Sequence, residues 1–138
     1  MTNFDIVTVM EFIQHVDVET AAEKLLVFLG FQTRLVGTRY LSKAITMKYN
    51  DEKLSCGSIY ADIAEKQHSA PASVERAIRH ALNNCRREGN IHQFNLIVGF
   101  HVIDRKFYTT NSEFISVVSK WLRWVRTDNS TDDARTPS

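Results

Sequence analysis

The sequence is poor in the residues that build disulfides, metal sites and membrane spans. It has two cysteines, Cys56 and Cys85, and neither forms a CxxC pair or a Cys/His zinc pattern. No apolar run approaches the roughly 18 residues that a bilayer span requires, and the first residues lack the segments of a secretory signal. We therefore expect free thiols, no membrane partner and a cytoplasmic protein.

Catalytic patterns are also missing. No glycine-rich phosphate loop occurs, and no metal-ligand spacing connects the five histidines, His15, His68, His80, His92 and His101. A hidden Cys–His pair is the remaining arrangement, but Cys85 falls on an apolar helix face, where cysteines are structural and inert. The sequence thus predicts that the protein is not an enzyme and uses no metal or cofactor.

Charge is distributed unevenly along the 138 residues. Residues 1–30 carry one base and five acids, a net charge of −4, and residues 127–138 carry one base and three acids, a net charge of −2. Since the chain has 17 bases and 16 acids, residues 31–126 hold 15 bases and 8 acids, a net charge of +7. A basic body suits a polyanionic partner such as DNA, although many ordinary domains have a similar asymmetry.

Apolar spacing and stop signals predict an all-α fold without internal repeats. The helices are expected from Asp17 to Leu29, Gly37 to Tyr49, Ser58 to Gln67, Pro71 to Glu88, Ile91 to Val98 and from the capping box Thr110-Asn111-Ser112-Glu113 onward. Residues 1–18 suit a helix or a strand, and we expect a helical extension. Residues 127–138 are expected to form a disordered acidic tail, which leaves 19–126 as the domain.

The short helix 58–67, a turn and the longer helix 71–88 have the layout of a helix-turn-helix. At about 100° per residue, one side of the longer helix is apolar. The opposite side carries Ala72, Glu75, Arg76, Arg79, His80 and Asn83. Arginine can bond guanine and glutamate can accept from cytosine in a major groove. The pattern equally fits a solvated helix face on which Glu75 and Arg79 pair with each other.

Several ordered motifs resemble one family. The string Val74-Glu75-Arg76-Ala77-Ile78-Arg79-His80-Ala81 resembles the recognition helix of the sporulation response regulator family, stage zero sporulation protein A. Residues 40–51 and 60–64 resemble that family's second helix and the first helix of its helix-turn-helix, and 89–91 and 110–114 match two further signatures. The similarity covers roughly 19–126 and implies a six-helix bundle, similar to winged-helix effector domains of response regulators.

The resemblance also implies a function and its residues. Family members are transcription regulators that bind double-stranded DNA as a head-to-tail pair on tandem boxes near TGTCGAA. Carried over, the base-reading set is Ser73, Glu75, Arg76 and Arg79. The phosphate or groove set is Lys66, His80, Asn83, Arg86 and Arg87. The family's last helix touches partner surfaces, which makes Lys120, Arg123 and Trp124 candidate contacts for a partner such as RNA polymerase.

This sequence departs from the family pattern in four places. Ser73 stands where the family has a base-reading arginine, and losing a bidentate arginine costs roughly 1–3 kcal/mol of discrimination at one base pair. Ala72 replaces a serine, and the segment 50–60 is shorter. Because about eighteen residues precede the match, we expect no receiver domain and no control by phosphorylation. The apolar part of 1–18 either packs on its own domain, which we favour, or contacts a second copy.

Two functions therefore remain open. The first is a sequence-specific transcription regulator that reads the major groove with helix 72–88. The alternative is a protein-interaction module that pairs with a full-length regulator and has lost strong DNA binding. The substitution at Ser73 favours the second function, whereas Glu75, Arg76 and the basic body favour the first.

Overall fold

Six helices account for most of the residues that the computed structural model describes, which are 6–89, 94 and 110–134. They are α1 Ile6–His15, α2 Val18–Phe28, α3 Val36–Asn50, α4 Cys56–Lys66, α5 Pro71–Glu88 and α6 Asn111–Ala134. These residues form no strand, and none of their helices is long and apolar enough to cross a membrane. The all-α prediction is confirmed. Phe94 is helical, and the rest of the predicted helix 91–98 lies outside the described residues.

Local hydrogen bonds set where several helices begin and end. The Asp17 carboxylate accepts from the Thr20 amide at 3.2 Å and caps α2, and Gly30, with φ of 93°, follows its end. Both bonds of the predicted capping box are present before α6. The Glu113 amide donates to Thr110 Oγ1 at 3.1 Å, and the Thr110 amide donates to Glu113 Oε1 at 3.3 Å.

The start of α4 differs from the prediction by two residues. Ser55 Oγ accepts from the Ser58 amide at 3.1 Å, so Ser55 is the N-cap and the helix begins at Cys56. The apolar spacing predicted a start at Ser58, and the two additional residues are Cys56 and Gly57. A glycine in the first turn is tolerated when a serine cap satisfies the amides that the helix start leaves open.

The core is organised around α3, which packs against α2, α4, α5 and α6. Fully buried apolar side chains line these contacts, among them Leu25, Leu41, Ile45, Ile59, Ile78, Leu82 and Phe114. Each large side chain of this kind contributes about 1.5–3 kcal/mol relative to exposure. The central α3 thereby fixes the positions of the two helices on which the candidate site lies.

The helical extension α1 packs onto the domain through Val9 and Ile13, which are buried. Its last carbonyls are satisfied by α6, since Arg126 Nη1 donates to the Ile13 carbonyl at 2.9 Å and also to the Val16 carbonyl. Val7 and Phe12 remain exposed. The favoured expectation, packing of this stretch on its own domain, agrees with these contacts, and a dimer contact stays a prediction.

The last helix is longer than the sequence predicted. A disordered tail was expected from residue 127, whereas α6 continues to Ala134, which corrects that expectation for 127–134. No glycine or proline interrupts the chain between Gly99 and Pro137, so nothing in the sequence stops the helix once it has started. Residues 135–138 lie outside the described residues.

Candidate nucleic-acid interface

The turn between α4 and α5 sets the direction of α5 relative to α4. His68 has φ of 54°, in the left-handed region, and the Ser69 amide donates to the Ala64 carbonyl at 2.8 Å. This is the Schellman type of helix end. Pro71 then occupies the first turn of α5, where proline loses no hydrogen bond. The predicted short helix, turn and longer helix are therefore present.

The inner face of α5 is fixed against the core. A Cβ atom on Gly37 of α3 would lie 1.9 Å from the Ala77 carbonyl oxygen, so the two helix backbones touch at that point. The apolar side predicted from periodicity is buried at Val74, Ile78, Ala81, Leu82 and Cys85. The Cys85 thiol donates to the Leu29 carbonyl at 3.2 Å, which agrees with a structural cysteine.

The outer face of α5 carries the predicted base-reading set. Arg76, Arg79 and His80 are exposed, while Ser73, Glu75 and Asn83 are half-buried at the edges of the face. Because the inner face is held by close backbone contact, these side chains project from a rigid helix. The structure thus brings Glu75, Arg76 and Arg79 onto one accessible surface, as the spacing predicted, with Ser73 from the family resemblance at its edge.

Two contacts link the reading residues to each other. Arg79 forms a hydrogen-bonded ion pair with Glu75 one turn before it, and Arg76 Nη2 lies 3.4 Å from Ser73 Oγ. The i, i+4 pairing that the sequence left open is therefore present. A surface pair of this kind contributes about 0–1 kcal/mol. The four residues form two pairs on the same helix, and we call them together the reading cluster, Ser73, Glu75, Arg76 and Arg79.

The cations predicted for phosphates lie in two places, next to the turn between α4 and α5 and near the end of α5. Lys66 is exposed at the end of α4 and pairs with Asp62 at 3.0 Å. Arg87 is exposed near the end of α5, and Arg86 is half-buried there with contacts of its own. Arg86 and Arg87 follow Arg76 by roughly 15 Å along the helix axis, at about 1.5 Å per residue. They are placed beside the reading cluster, not within it.

The sequence analysis missed Asn111 as a member of this site. Asn111 is the first residue of α6, is buried, and donates through Nδ2 to the Glu75 carbonyl at 3.0 Å. Tyr60 of α4 lies beside it. Burial raises the pKa of the Tyr60 hydroxyl, and the Asn111 side chain opposes that rise. The only signal in the sequence was a polar residue inside a capping box, where it has no capping role.

The three candidate partner contacts on α6 differ in their surroundings. Trp124 is 65% exposed and Lys120 is exposed. Arg123 instead points at the end of α3, where it donates to the Lys48 carbonyl at 3.0 Å and to the Tyr49 carbonyl, and it pairs with Glu52 at 3.3 Å. Arg123 thus closes a helix C-terminus, while Trp121, expected in the core, is 7% exposed.

Comparison with protein families assigns this surface to a known domain. The model of the family described as "Sporulation initiation factor Spo0A C terminal" matches residues 22–122. The match contains most of α2, all of α3, α4 and α5, and the first half of α6. It therefore includes the whole helix-turn-helix and the complete reading cluster. The resemblance that the sequence motifs indicated is confirmed.

Proposed function

Because the chain belongs to the Spo0A C-terminal family, the DNA-binding domain of a sporulation regulator, we propose that it binds double-stranded DNA sequence-specifically and regulates transcription. One observation carries the proposal. The reading cluster lies on the outer face of α5, while the inner face of the same helix is fixed against α3 through the Gly37–Ala77 contact. A rigid helix with an accessible polar face is what insertion into a major groove requires.

Three members of the reading cluster have roles that their chemistry allows. Arg76 and Arg79 would donate to guanine O6 and N7, and Glu75 would accept from a cytosine amino group. Opening the Glu75–Arg79 ion pair costs at most about 1 kcal/mol, because both side chains are partly solvated. A bidentate base contact gains about 1–3 kcal/mol of discrimination. Replacing the ion pair by base contacts therefore favours the bound state on a matching sequence.

The flanking cations would supply affinity without sequence information. Lys66, Arg86 and Arg87 would contact phosphates on either side of the groove, with His80 and Asn83 near its edge. If these three cations neutralise three phosphates, log K falls by roughly 2.7 for each tenfold rise in salt, at about 0.9 per phosphate. DNA as the partner would place the protein at the nucleoid. Pairing of two copies on tandem boxes, and a contact of Lys120 and Trp124 with RNA polymerase, belong to the same proposal.

Fluorescence anisotropy tests the proposal directly. One labelled duplex carries two tandem TGTCGAA boxes and the other a scrambled sequence, each titrated at two salt concentrations. We expect a preference for the boxes of at least about tenfold, equal to about 1.4 kcal/mol. Arg76→Ala should remove this preference. Arg39→Ala is the matched control, since Arg39 is exposed on α3 and lines a surface pocket with Glu23 and Lys24 of α2. Equal affinity of the unmodified protein for both duplexes would overturn the proposal.

Two features favour the alternative function as a protein-interaction module. Ser73 replaces a base-reading arginine of the family pattern, and Glu75 engages Arg79 in the unbound protein. In that case the protein would pair with a full-length regulator and bind DNA weakly. Arg76→Ala separates the functions, because it would abolish box preference under the first and leave capture of a full-length family regulator unchanged under the second.

A further inference from the structure

We propose that Asn111 is a positioning residue that sets the pose of the reading cluster on DNA. The inference rests on the proposed function and extends it to a residue outside the helix-turn-helix. Asn111 Nδ2 donates to the Glu75 carbonyl at 3.0 Å, and the two residues are 36 positions apart in the chain. The Asn111 side chain is 6% exposed, so water does not compete freely for this bond.

The direction of the Asn111 side chain is determined by its place in the capping box. Thr110 and Glu113 satisfy each other's backbone amides and fix the first turn of α6. Asn111 takes no part in that exchange, so its side chain is left to reach across to α5. A carbonyl oxygen can only accept, and the amide nitrogen is the donor group of asparagine. The chemistry of the pair therefore fixes the amide orientation.

The first turn of α5 has no side-chain cap of its own, so a hydrogen bond from another helix can stabilise it. Its N-cap is Ala70, which has no side-chain group that can accept from the helix amides. The first three residues of α5 are not buried, and Val74 is the first that packs in the core. The Glu75 carbonyl lies directly after this uncapped first turn, next to Arg76, where α5 enters the core. Asn111 thus fixes the turn from which the reading side chains extend.

Tyr60 brings a third helix, α4, to the contact between Asn111 of α6 and Glu75 of α5. It lies on α4, it interacts with the Asn111 side chain, and the Glu75 charge also acts on its hydroxyl. The two helices of the helix-turn-helix and the start of α6 therefore meet at Asn111. A binding constellation must be held within about 0.5 Å by groups whose own positions are fixed, and Asn111 meets that condition.

Asn111→Asp and Asn111→Ala are the test variants, and Ser119→Ala is the matched control. Aspartate keeps the shape of asparagine and suits a helix start, but it cannot donate to the Glu75 carbonyl. Ser119 is buried on the same helix and bonds within α6, to the Ser116 carbonyl at 3.2 Å. The control therefore removes a buried hydrogen bond without touching α5.

The first readout requires no DNA. Amide hydrogen exchange at residues 75–80 should become at least about tenfold faster in both Asn111 variants and stay near the unmodified rate in Ser119→Ala. Unchanged exchange at these residues in a folded Asn111→Ala protein would overturn the inference. Thermal unfolding followed by circular dichroism establishes that each variant is folded, and if aspartate prevents folding, alanine carries the measurement.

The second readout separates this inference from the proposed function. The ratio of affinities for tandem-box and scrambled duplexes should fall about tenfold in Asn111→Asp, while affinity for the scrambled duplex changes less than about threefold. Arg76→Ala combined with Asn111→Asp should lose no more discrimination than Arg76→Ala alone. Faster exchange with no box preference in the unmodified protein would sink the regulator function and leave the contact to α5 standing. An unchanged ratio in both Asn111 variants would sink the positioning role.

Discussion

Ile78 and Arg79 are adjacent in the chain, yet Ile78 is fully buried and Arg79 exposes half of its side chain. They belong to opposite faces of α5. On the inner face, the helix backbone touches α3 at Gly37, and large apolar side chains fill the core. On the outer face, Arg79 pairs with Glu75, and Arg76 lies beside Ser73.

The comparison shows that one helix has a buried face that stabilises the fold and an accessible face, which under the proposed function serves recognition. Substitutions on the inner face act on the free energy of unfolding, because they create cavities or clashes. Substitutions on the outer face are expected to change unfolding by less than about 0.5 kcal/mol, and the proposed function places their main effect on binding. Paired variants at neighbouring positions can therefore test whether the two faces are independent.

The largest expected effect is on the inner face. Ile78→Ala should lower the free energy of unfolding by about 2–5 kcal/mol, because it leaves a cavity between α3 and α5. Urea denaturation measures this change. Arg79→Ala, one residue further, is the control and should shift unfolding by less than about 0.5 kcal/mol. Equal losses in the two variants would mean that the faces are not independent.

Gly37→Ala should have the second-largest effect on stability. The added methyl group would meet the Ala77 carbonyl at 1.9 Å, and α5 must shift to relieve the clash. We expect a loss of about 1–3 kcal/mol or more in thermal unfolding. Gly57→Ala is the control, since its nearest neighbour would be Ser55 Oγ at 3.8 Å. That control should instead stabilise the protein by about 0.5–1 kcal/mol through helix propensity.

Ser73→Arg sharpens the comparison from the outer face. It restores the arginine of the family pattern at a half-buried edge of the reading cluster. Box discrimination should rise by about 1–3 kcal/mol at one base pair, with unfolding changed by less than about 0.5 kcal/mol. Anisotropy with single-base variants of the box locates the gain. An equal gain on scrambled DNA would show that only charge was added, and Ser73→Lys measures that contribution.

His68→Gly should have the smallest effect. The left-handed conformation of His68 costs about 1–2 kcal/mol for a residue with a side chain. Glycine removes this strain, but it also makes the unfolded chain more flexible, which lowers stability by about 0.5–1 kcal/mol. The net gain in stability is therefore about 0.5–1 kcal/mol. Thermal unfolding measures it. Gln67 has φ of −101°, so Gln67→Gly should not raise the thermal stability. If it did, backbone strain at His68 would not explain the effect of His68→Gly.

Local signals in the sequence predicted much of this fold. The limits of α5 came from Pro71 and Gly89, the start of α6 from its capping box, and the two faces of α5 from periodicity. These features depend on neighbours within one or two turns. The start of α4 was predicted less well, since the apolar spacing predicted it at Ser58 and the helix begins at Cys56.

Contacts between distant residues were beyond prediction. The bond from Asn111 to Glu75 spans 36 residues, and that from Arg123 to the Lys48 carbonyl spans 75. Each depends on how helices pack, which no spacing in the chain encodes. Arg123 was therefore expected at a partner surface, whereas its guanidinium closes α3. Glu75, Arg76 and Arg79 could be placed on one face from their spacing in a single helix, whereas Ser73 was added from the family resemblance.

Arg126 has a consequence for how much of the chain a stable domain needs. It lies beyond the family match and holds the last carbonyls of α1, which lies before the match, while its Nε donates to the Tyr49 hydroxyl at 3.2 Å. The two ends of the chain are thus energetically coupled through one guanidinium. A protein shortened to 22–122 would lose α1, Arg123 and Arg126 together. It would expose the surface on which Ile13 packs and leave carbonyls at the end of α3 without Arg123, so we expect the minimal folding unit to be larger than residues 22–122.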